Sequence, residues 1–392
     1  MRATLLQQST SAEPLQVPDM PDAPPLRRTE RGPGRGEVIR PGKALDNPPT
    51  VPRPPLRQRG GGRGRGSPPS RQATNDSRSA SLPPSRSPPL QGWVLAARSV
   101  KLPLMRLTVR APATSANLGP GFDCLGLAVD VWGTATVETG RDDGSTEKGV
   151  TRLIWQGIQA AFADVGSPPQ VSITWDNGIP IARGLGASAA LRAAGLIAGN
   201  ALLDNVHNVE ALLSLGTRLE GFPDNMSPCL LGGFQVNVRR PDGAVLHLQA
   251  PLPDDLEVVV FVPDFEMPTQ ESRRKLPKEL SREDAIFNAS RVGLLVAALN
   301  AGRYDLLDDA TQDRIHQPAR SQIFPGLNPI MAAAKDAGAA ASYLSGGGST
   351  VAAFTNQNSE RVARLMTQAA IAAGFSGRST ITKPTMQGAQ IL

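Results

Sequence analysis

The sequence predicts an α+β protein of two lobes, and this prediction rests on three observations. Short runs alternate apolar and polar residues, as half-buried strands do. Other runs repeat apolar residues at the helical period. These elements mix without the strict strand–helix–strand alternation of a parallel α/β sheet, and this favours α+β. The predicted strands of the first half span residues 107–110, 128–131, 135–137 and 171–175.

Three helices are predicted in the first half, over residues 153–165, 188–203 and 209–219. The second of these is rich in alanine but contains Gly195 and Gly199. Glycine inside a helix costs about 1 kcal/mol relative to alanine. The spacing of four residues between these glycines therefore predicts close packing against a neighbouring element.

The second half begins near residue 250. Residues 256–263 form a continuous apolar run, so this strand is expected to be buried on both faces and to end at Pro263. A strand–turn–strand unit is predicted over residues 340–355. Between them lies a long amphipathic helix. Its predicted apolar face consists of Ala285, Ile286, Ala289, Val292, Leu295, Val296 and Leu299.

Residues 1–104 are rich in Pro, Arg, Gly and Ser and lack a periodic apolar pattern, so they predict a disordered segment. They contain 17 Lys and Arg against 7 Asp and Glu, whereas the rest of the chain has 24 against 28. An Arg-Gly nucleic-acid arm and an organelle transit peptide are two interpretations. A passive extension, or a start at Met105, is favoured because the segment has few aromatic residues and many prolines.

Other functional classes find little support. No run of about 18 apolar residues is present, so no membrane span is expected. Cys124 and Cys229 are too few for a disulfide framework, and we expect small buried side chains in a reducing cytoplasm. The three histidines are scattered, and this pattern does not indicate a histidine-ligated metal site.

The most informative segment for function runs from Pro180 to Ala190. Gly184 and Gly186 let the backbone approach an anion closely, and a helix predicted to begin near Ser188 offers unpaired N–H groups. The Ser188 hydroxyl is suited to Mg²⁺. The Gly-Lys-Ser/Thr ending of a Walker loop is missing, as is an early dinucleotide-binding motif. The segment favours a nucleotide-dependent kinase over a plain glycine-rich turn that caps a helix.

Five segments together make the chain recognisable. Val109–Asp123 strongly resembles the opening of homoserine kinases, members of the GHMP kinase superfamily. The glycine-rich loop around Gly184 and the segment Leu344–Thr350 resemble the second and third motifs of that superfamily. Glu220–Asn225 and Asp313–Arg320 are similar to segments typical of homoserine kinases. The resemblance covers about residues 105–392 in matching order.

This resemblance implies a two-lobed GHMP kinase fold. The N-terminal domain, residues 105–249, would bind ATP and contain a mixed sheet with the phosphate loop. The C-terminal domain, residues 250–392, would be an α/β sandwich. The implied reaction transfers the γ-phosphate of ATP to L-homoserine, giving O-phospho-L-homoserine for threonine biosynthesis in the cytoplasm. The resemblance is also compatible with a homodimer.

The resemblance further implies the residues that bind MgATP. Ser188 and Glu220 would hold Mg²⁺, an ion that prefers hard oxygen ligands and keeps several waters. The phosphates would lie against the glycine-rich loop. Its predicted contact residues are Pro180, Ala182, Arg183, Gly184, Leu185, Gly186, Ala187, Ser188 and Ala189.

For the amino-acid substrate, the resemblance implies a second group of residues. Arg273 and Arg320 would bind the carboxylate, because a guanidinium can make two charge-assisted hydrogen bonds to it. The ammonium and hydroxyl end would be lined by Asn117, Asp123, Asp224 and Asn225. Thr269 would lie near the reacting hydroxyl. The predicted catalytic residues are Asn117, Thr269 and Arg273.

Several positions depart from the pattern of the family. Phe222 occupies a position where histidine is usual, and Ala187 replaces a serine. Gly347 and Ser349 replace alanine and proline, and Arg152 replaces an asparagine near the nucleobase. Three alternatives stay open. They are a GHMP kinase for another small alcohol, a relative that binds ATP without turnover, which Phe222 suggests, and a nucleic-acid role of the basic N-terminal segment.

Overall fold

The computed structural model describes residues 104–267 and 269–392, without the side chains of residues 269–271. The predictions for residues 1–103 therefore lie outside the described residues. Within the described part, strands form two antiparallel sheets and helices cover them. This arrangement confirms the predicted α+β class.

The first sheet has six strands. They are β1 (Arg106–Ala116), β2 (Leu125–Thr139), β3 (Val171–Asp176), β4 (Phe234–Arg239), β5 (Val245–Ala250) and β10 (Gln390–Ile391). The order is β10-β1-β2-β4-β5, with β3 also paired to β2. The start of the long strand β2 pairs with β4 and its end pairs with β3. The two short strands predicted over residues 128–131 and 135–137 are therefore parts of one strand.

The strand pairs of this sheet correct one detail of the prediction. Every pair within the described residues is antiparallel, so the expected mixed sheet is wrong. Two of these pairs, β1 with β2 and β4 with β5, have short connections that reverse the chain directly, whereas a parallel pair needs a long crossover.

Four helices pack near this sheet. They are α1 (Thr151–Phe162), α2 (Ala187–Leu202), α3 (Val209–Glu220) and α4 (Pro223–Leu231). The predicted close packing of α2 is confirmed, because its two glycines face α1. A Cβ on Gly195 would lie 1.9 Å from the Ile154 carbonyl oxygen, and one on Gly199 would lie 3.0 Å from the Ile158 Cα.

The second sheet has four strands in the order β7-β8-β6-β9. They are β6 (Glu257–Pro263), β7 (Ala341–Leu344), β8 (Val351–Thr355) and β9 (Gly377–Thr382). Strand β6 is central and buried along almost its whole length, as predicted. The predicted strand–turn–strand unit is also confirmed, because β7 and β8 pair with each other.

Helices cover both faces of this sheet, and the predicted sandwich is confirmed. On one face Val259 and Phe261 pack with Ile330 and Met366. On the other face Val258 joins a larger core that continues into the first sheet. The helices are α5 (Thr269–Arg274), α6 (Arg282–Asn300), α7 (Leu307–Ala310), α8 (Gln317–Ser321), α9 (Leu327–Asp336) and α10 (Ser359–Ala372), with a 3₁₀ turn over Tyr304–Leu306. None of the helices described is long and apolar enough to cross a bilayer.

Helix α6 forms where predicted, but its first half buries a different face. Ile286 is 61% exposed and Ala289 is exposed, whereas Asn288 is buried. The Asn288 Nδ2 donates to the Pro120 carbonyl over 3.2 Å and to Asp313 Oδ1 over 2.6 Å. This polar network sets the rotation of the helix, because a buried amide must keep its hydrogen-bond partners.

The two cysteines are free, and Cys229 is completely buried in the core, as expected. Cys124 is partly buried against the same core. Burial raises the pKa of both thiols above the ordinary value. Neither thiol is therefore an activated nucleophile.

The contact between α1 and α2 yields a prediction about stability. Gly195→Ala should destabilise the protein by about 1–3 kcal/mol, because the new methyl group meets backbone that cannot move aside cheaply. Urea denaturation of the two proteins measures the difference. Gly293→Ala in α6 is the control, since nothing lies within 4 Å of its added Cβ. The control should gain up to about 1 kcal/mol from helix propensity.

Candidate active site

A cleft opens where the loop after β1, the loop before α2 and the glycine-rich turn between β7 and β8 meet. Most of the predicted site residues line it. They are Asn117, Ala182, Gly184, Gly186, Ala187, Ser188, Ala189, Glu220, Asp224, Asn225, Arg273 and Arg320, joined by Phe222, Gly346 and Gly347.

Some predicted residues do not line the cleft. Pro180 lies outside it, and the side chain of Leu185 is buried in the core. The Arg183 guanidinium points away, and its Nη2 donates to the Asp264 carbonyl over 2.6 Å. Asp123 does not line the cleft itself, but it forms an ion pair with Arg273, which does. The side chain of Thr269 lies outside the described residues.

The three glycine-containing segments are joined by hydrogen bonds that are buried or partly buried. Ser345 Oγ donates to the Gly184 carbonyl over 2.7 Å and lies 2.8 Å from Ser115 Oγ. The Gly346 N–H donates to the Ala116 carbonyl over 2.9 Å. Gly184 has φ +83°, and a Cβ there would lie 2.4 Å from the Ser345 carbonyl oxygen. Only glycine fits this position, so the loop before α2 is held against the turn after β7.

The start of α2 faces the cleft with its N–H groups. The helix begins at Ala187, one residue before the predicted start, and Gly186 caps it with φ +65° and without a side-chain hydrogen bond. Gly186 packs against Thr114, whose Oγ1 donates to Asn225 Oδ1 over 2.8 Å. A helix start without a side-chain cap favours an anion, because the N–H groups and the helix dipole are both directed at it.

Ser188 and Glu220, the predicted metal ligands, contact each other and share a third partner. The Ser188 Oγ donates to Glu220 Oε1 over 2.8 Å. Arg192, one turn further along α2, donates from Nη1 to Ser188 Oγ over 2.6 Å and forms an ion pair with Glu220. Gln156 Oε1 of α1 accepts from Nε and Nη2 of the same guanidinium, both over 3.3 Å.

At the other end of the cleft, Arg273 forms a two-pronged ion pair with Asp123. The distances are 3.0 Å from Nη1 to Oδ2 and 2.5 Å from Nη2 to Oδ1. The guanidinium carbon of Arg273 also lies 3.9 Å from the ring centroid of Phe222 and 5.2 Å from that of Phe122. Phe222 therefore holds Arg273 through a cation–π contact.

Arg320 is held differently, because it is only 1% exposed. Its Nε donates to Ser272 Oγ over 2.6 Å. Its Nη1 donates to His316 Nδ1 over 2.8 Å and to the Gly346 carbonyl over 3.0 Å. Burial, with the nearby positive charge of Arg273, lowers the pKa of Arg320 to about 10. The group stays positively charged at neutral pH.

His316 is a neutral support for Arg320. Its Nε2 donates to the Gly119 carbonyl over 2.7 Å, so its Nδ1 accepts from Arg320. Burial lowers the pKa of His316 to about 4, which agrees with this neutral tautomer. Its ring also stacks on Phe122 at 5.4 Å between centroids.

Asn117 has its side chain engaged at both ends. Its Nδ2 donates to the Gly346 carbonyl over 2.9 Å, and its Oδ1 accepts from the Asp123 N–H over 3.0 Å. Asn117 and Asp123 both have positive φ, +69° and +58°. Asn117 thus stabilises an unusual backbone turn at the cleft, a role that the sequence did not indicate.

Asp224 is 5% exposed, and its environment disfavours the charged carboxylate. Burial is the largest cause and the negative charge of Asp123 adds to it, so the pKa of Asp224 rises to about 7. The nearby Arg273 opposes this shift. A carboxyl that changes charge near neutral pH therefore lies at the same end of the cleft as the two arginines.

Sequence reasoning missed three residues of this site. Arg192 is the only charged residue of α2 and lies four residues after Ser188, a spacing that places both on one helix face. His316 has the same spacing to Arg320. No motif or spacing in the sequence marks Ser272 as a partner of Arg320. No group of three or more His, Cys, Asp or Glu side chains that could hold a metal occurs among the residues described.

Comparison with known proteins places these features in a family. Residues 152–233 match the model of the GHMP kinases N terminal domain, and residues 295–372 match that of the GHMP kinases C terminal. A homoserine kinase of Moorella thermoacetica is 39% identical over 295 residues, covering 72% of this chain and 99% of that protein. A homoserine kinase of Desulfitobacterium hafniense is 36% identical with the same coverage.

Solved structures agree with this placement. The crystal structure of a homoserine kinase from Cytophaga hutchinsonii is 30% identical, with a TM-score of 0.67, and the match covers 73% of this chain and 97% of that one. A mevalonate diphosphate decarboxylase from Staphylococcus aureus has a TM-score of 0.55 at 14% identity, covering 74% and 98% of the two chains. This second likeness concerns the fold alone.

The raised pKa of Asp224 predicts a pH-dependent stability. Because the folded protein binds this proton more tightly than the unfolded chain, the proton contributes to the free energy of unfolding. This contribution is complete below about pH 4, the ordinary pKa of the carboxyl, and is lost as the pH rises through 7. Asp224→Asn mimics the protonated form. Its unfolding free energy relative to wild type should therefore rise by roughly 2 kcal/mol between pH 5 and pH 8.

Urea denaturation of both proteins at each pH measures this difference, and the comparison cancels the contribution of His316. The control is Asp164→Asn, at an exposed carboxylate. A difference for Asp224→Asn that stays constant with pH would contradict the prediction.

Proposed function

Because the chain belongs to the homoserine kinase family of the GHMP kinases, we propose that it phosphorylates the hydroxyl of L-homoserine with ATP. The product is O-phospho-L-homoserine, which serves threonine biosynthesis. The observation that carries the proposal is the pairing of two sites in one cleft. A glycine-rich helix start suited to phosphates lies at one end. Arg273, Arg320 and Asp224 lie at the other, and Asp123 pairs with Arg273.

The charges at the second end suit an amino acid. The carboxylate of homoserine would bind Arg273 and Arg320, and its ammonium would bind Asp123 and Asp224. Arg320 is fixed by buried hydrogen bonds, so it offers a preorganised anchor. Arg273 is 30% exposed and can exchange Asp123 for the substrate carboxylate. Asn117 and Asn225 would complete the pocket.

The phosphates of ATP would lie against the backbone of the loop before α2. Ser188 and Glu220 fit Mg²⁺, because a hydroxyl and a carboxylate oxygen converge within 2.8 Å of each other. Such an ion, when bound with ATP, neutralises phosphate charge during transfer. Two protein ligands suffice for Mg²⁺, which takes its remaining ligands from water and phosphate.

The proposed mechanism depends on alignment more than on proton abstraction. Phosphoryl transfer passes through a loose transition state, in which positioning and charge neutralisation supply most of the catalysis. We therefore assign no general base. Asp123 pairs with Arg273 through both carboxylate oxygens, and this supports a role in binding. Asn117 would act by holding the turn that carries Asp123.

Several further predictions extend this proposal. A catalytic role of Thr269, a homodimer, a cytoplasmic location and a domain division at residue 250 stay predictions. At position 222, where the family usually has histidine, the Phe222 ring contacts Arg273. We therefore expect the part of the pocket that binds the amino acid to differ from that of other homoserine kinases. Arg152 lies in a separate shallow pocket beside Trp155 and Gln156, and we propose it as a residue near the nucleobase.

The proposal is tested by following ADP release from MgATP with the full chain. L-Homoserine is compared with L-serine, L-threonine and mevalonate. Turnover selective for L-homoserine supports the proposal. Turnover of another alcohol, or ATP binding without turnover of any of the four, would reject it.

Arg273→Gln should raise the KM for L-homoserine and lower kcat/KM, because a charge-assisted carboxylate contact is lost. The fall in kcat/KM should correspond to about 2–3 kcal/mol of transition-state stabilisation. ATP affinity should change little. Steady-state kinetics and ATP titration measure the two effects. The matched control is Arg274→Gln, the next residue along α5, whose side chain is exposed. Equal kinetics for the two variants would remove Arg273 from the substrate pocket.

Glu220→Gln should lower kcat at least tenfold and raise the Mg²⁺ concentration needed for half-maximal rate, because the carboxylate ligand becomes a neutral amide. The measurement is the rate as a function of free Mg²⁺ at saturating ATP. Glu210→Gln, on an exposed position of the same helix, serves as the control. An unchanged Mg²⁺ dependence would remove Glu220 from the metal site.

A further inference from the structure

A guanidinium already bonds to the two oxygens proposed to bind the metal. Arg192 Nη1 donates to Ser188 Oγ over 2.6 Å and pairs with Glu220 Oε1, the same two atoms that converge on each other. The side chains of Arg192 and Glu220 are only 17% and 16% exposed. Water therefore screens this ion pair less than a surface pair.

The contacts around Arg192 form a built arrangement. Its helix, α2, carries Ser188 one turn earlier, and α3 supplies Glu220. From α1, Gln156 accepts two hydrogen bonds from the remaining nitrogens of the guanidinium. Three elements thus hold one positive charge at this place. A divalent ion on the same oxygens would meet a like charge at very short range.

We propose that Arg192 is a resident cation of the nucleotide site, one that holds the metal ligands until ATP arrives. This inference rests on the proposed assignment of Ser188 and Glu220 to Mg²⁺. Free metal binds poorly because the guanidinium must first leave both oxygens. When ATP enters, its phosphates offer the displaced guanidinium a new anionic partner at the start of α2. Metal entry is thereby coupled to nucleotide entry.

The coupling has a chemical advantage that follows from the charges. Without Arg192, the largely buried Glu220 carboxylate would lack a cation in the metal-free state. With Arg192 present, the Glu220 carboxylate has a positive partner before ATP binds, namely the guanidinium, and another afterwards, namely the metal ion. Arg192 is therefore a positioning residue: it acts through Ser188 and Glu220.

The test measures binding of Mn²⁺ alone to the nucleotide-free full chain, by the electron paramagnetic resonance signal of free Mn²⁺. Arg192→Gln should bind Mn²⁺ at least tenfold more tightly than wild type. MnCl₂ should also raise the Tm of this variant more than that of wild type, because the ion stabilises the state it binds. Equal Mn²⁺ affinity in the two proteins would overturn the inference.

The matched control is Arg218→Gln, which loses the same charge from α3 two residues before Glu220. The Arg218 side chain is exposed, so its Mn²⁺ affinity should equal that of wild type. An equal gain in both variants would show a general charge effect and would also overturn the inference. If Arg192→Gln does not fold, Arg192→Met replaces it. Its neutral side chain removes the charge at a similar length, so tighter binding than wild type supports the inference and equal binding opposes it.

The Glu220→Gln variant distinguishes a failure of the metal assignment from a failure of the proposed role of Arg192. If it leaves the Mg²⁺ dependence of the rate unchanged, the metal assignment itself fails. If that dependence changes but Arg192→Gln binds Mn²⁺ like wild type, only the role of Arg192 fails. The double variant Arg192→Gln with Glu220→Gln should lose the Mn²⁺ affinity that the single variant gained.

Discussion

The active cleft depends on one partly buried contact, the hydrogen bond from Ser345 Oγ to the carbonyl of Gly184. It joins the loop before α2 to the turn between β7 and β8, two segments 161 residues apart in the chain. Ser115 extends the contact to the first strand. Because the Gly184 backbone touches the Ser345 carbonyl, even a methyl group would separate the segments. The start of α2 is therefore presented to the cleft by three segments that hold one another.

The two arginines of the cleft are restrained to different degrees, and this difference suits different tasks. Arg320 is buried, and the neutral His316 fixes its direction without competing for its charge. Arg273 is partly exposed, paired with Asp123 and laid over the ring of Phe222. A fixed cation anchors a carboxylate, whereas a cation with an exchangeable partner can admit one. The proposed substrate end thus combines preorganisation with an ion pair that a zwitterion can replace.

Much of the fold could be predicted from local patterns. The buried strand β6, the strand pair β7 and β8, and the helices α1 to α3 follow from apolar periods in the chain. The two glycines of α2 correctly indicated a close helix contact. The face of α6 could not be predicted, because Asn288 is buried by partners from distant loops, while the nearby apolar Ile286 stays exposed. The apolar period of a helix cannot reveal that contacts with distant segments will bury a polar residue in place of an apolar one.

For the site, the order of amino acids along the chain shows which residues carry charge, which glycines admit a close backbone and in what order the motifs follow. The pairs arise only in the packed protein: Arg273 meets Asp123 across 150 residues, and Ser188 meets Glu220 across 32. Packing also brings Arg192 to the proposed metal ligands. The physical reason is that hydrogen bonds and ion pairs act over a few ångströms in space. Residues distant in the chain become partners only after the sheets and helices have packed.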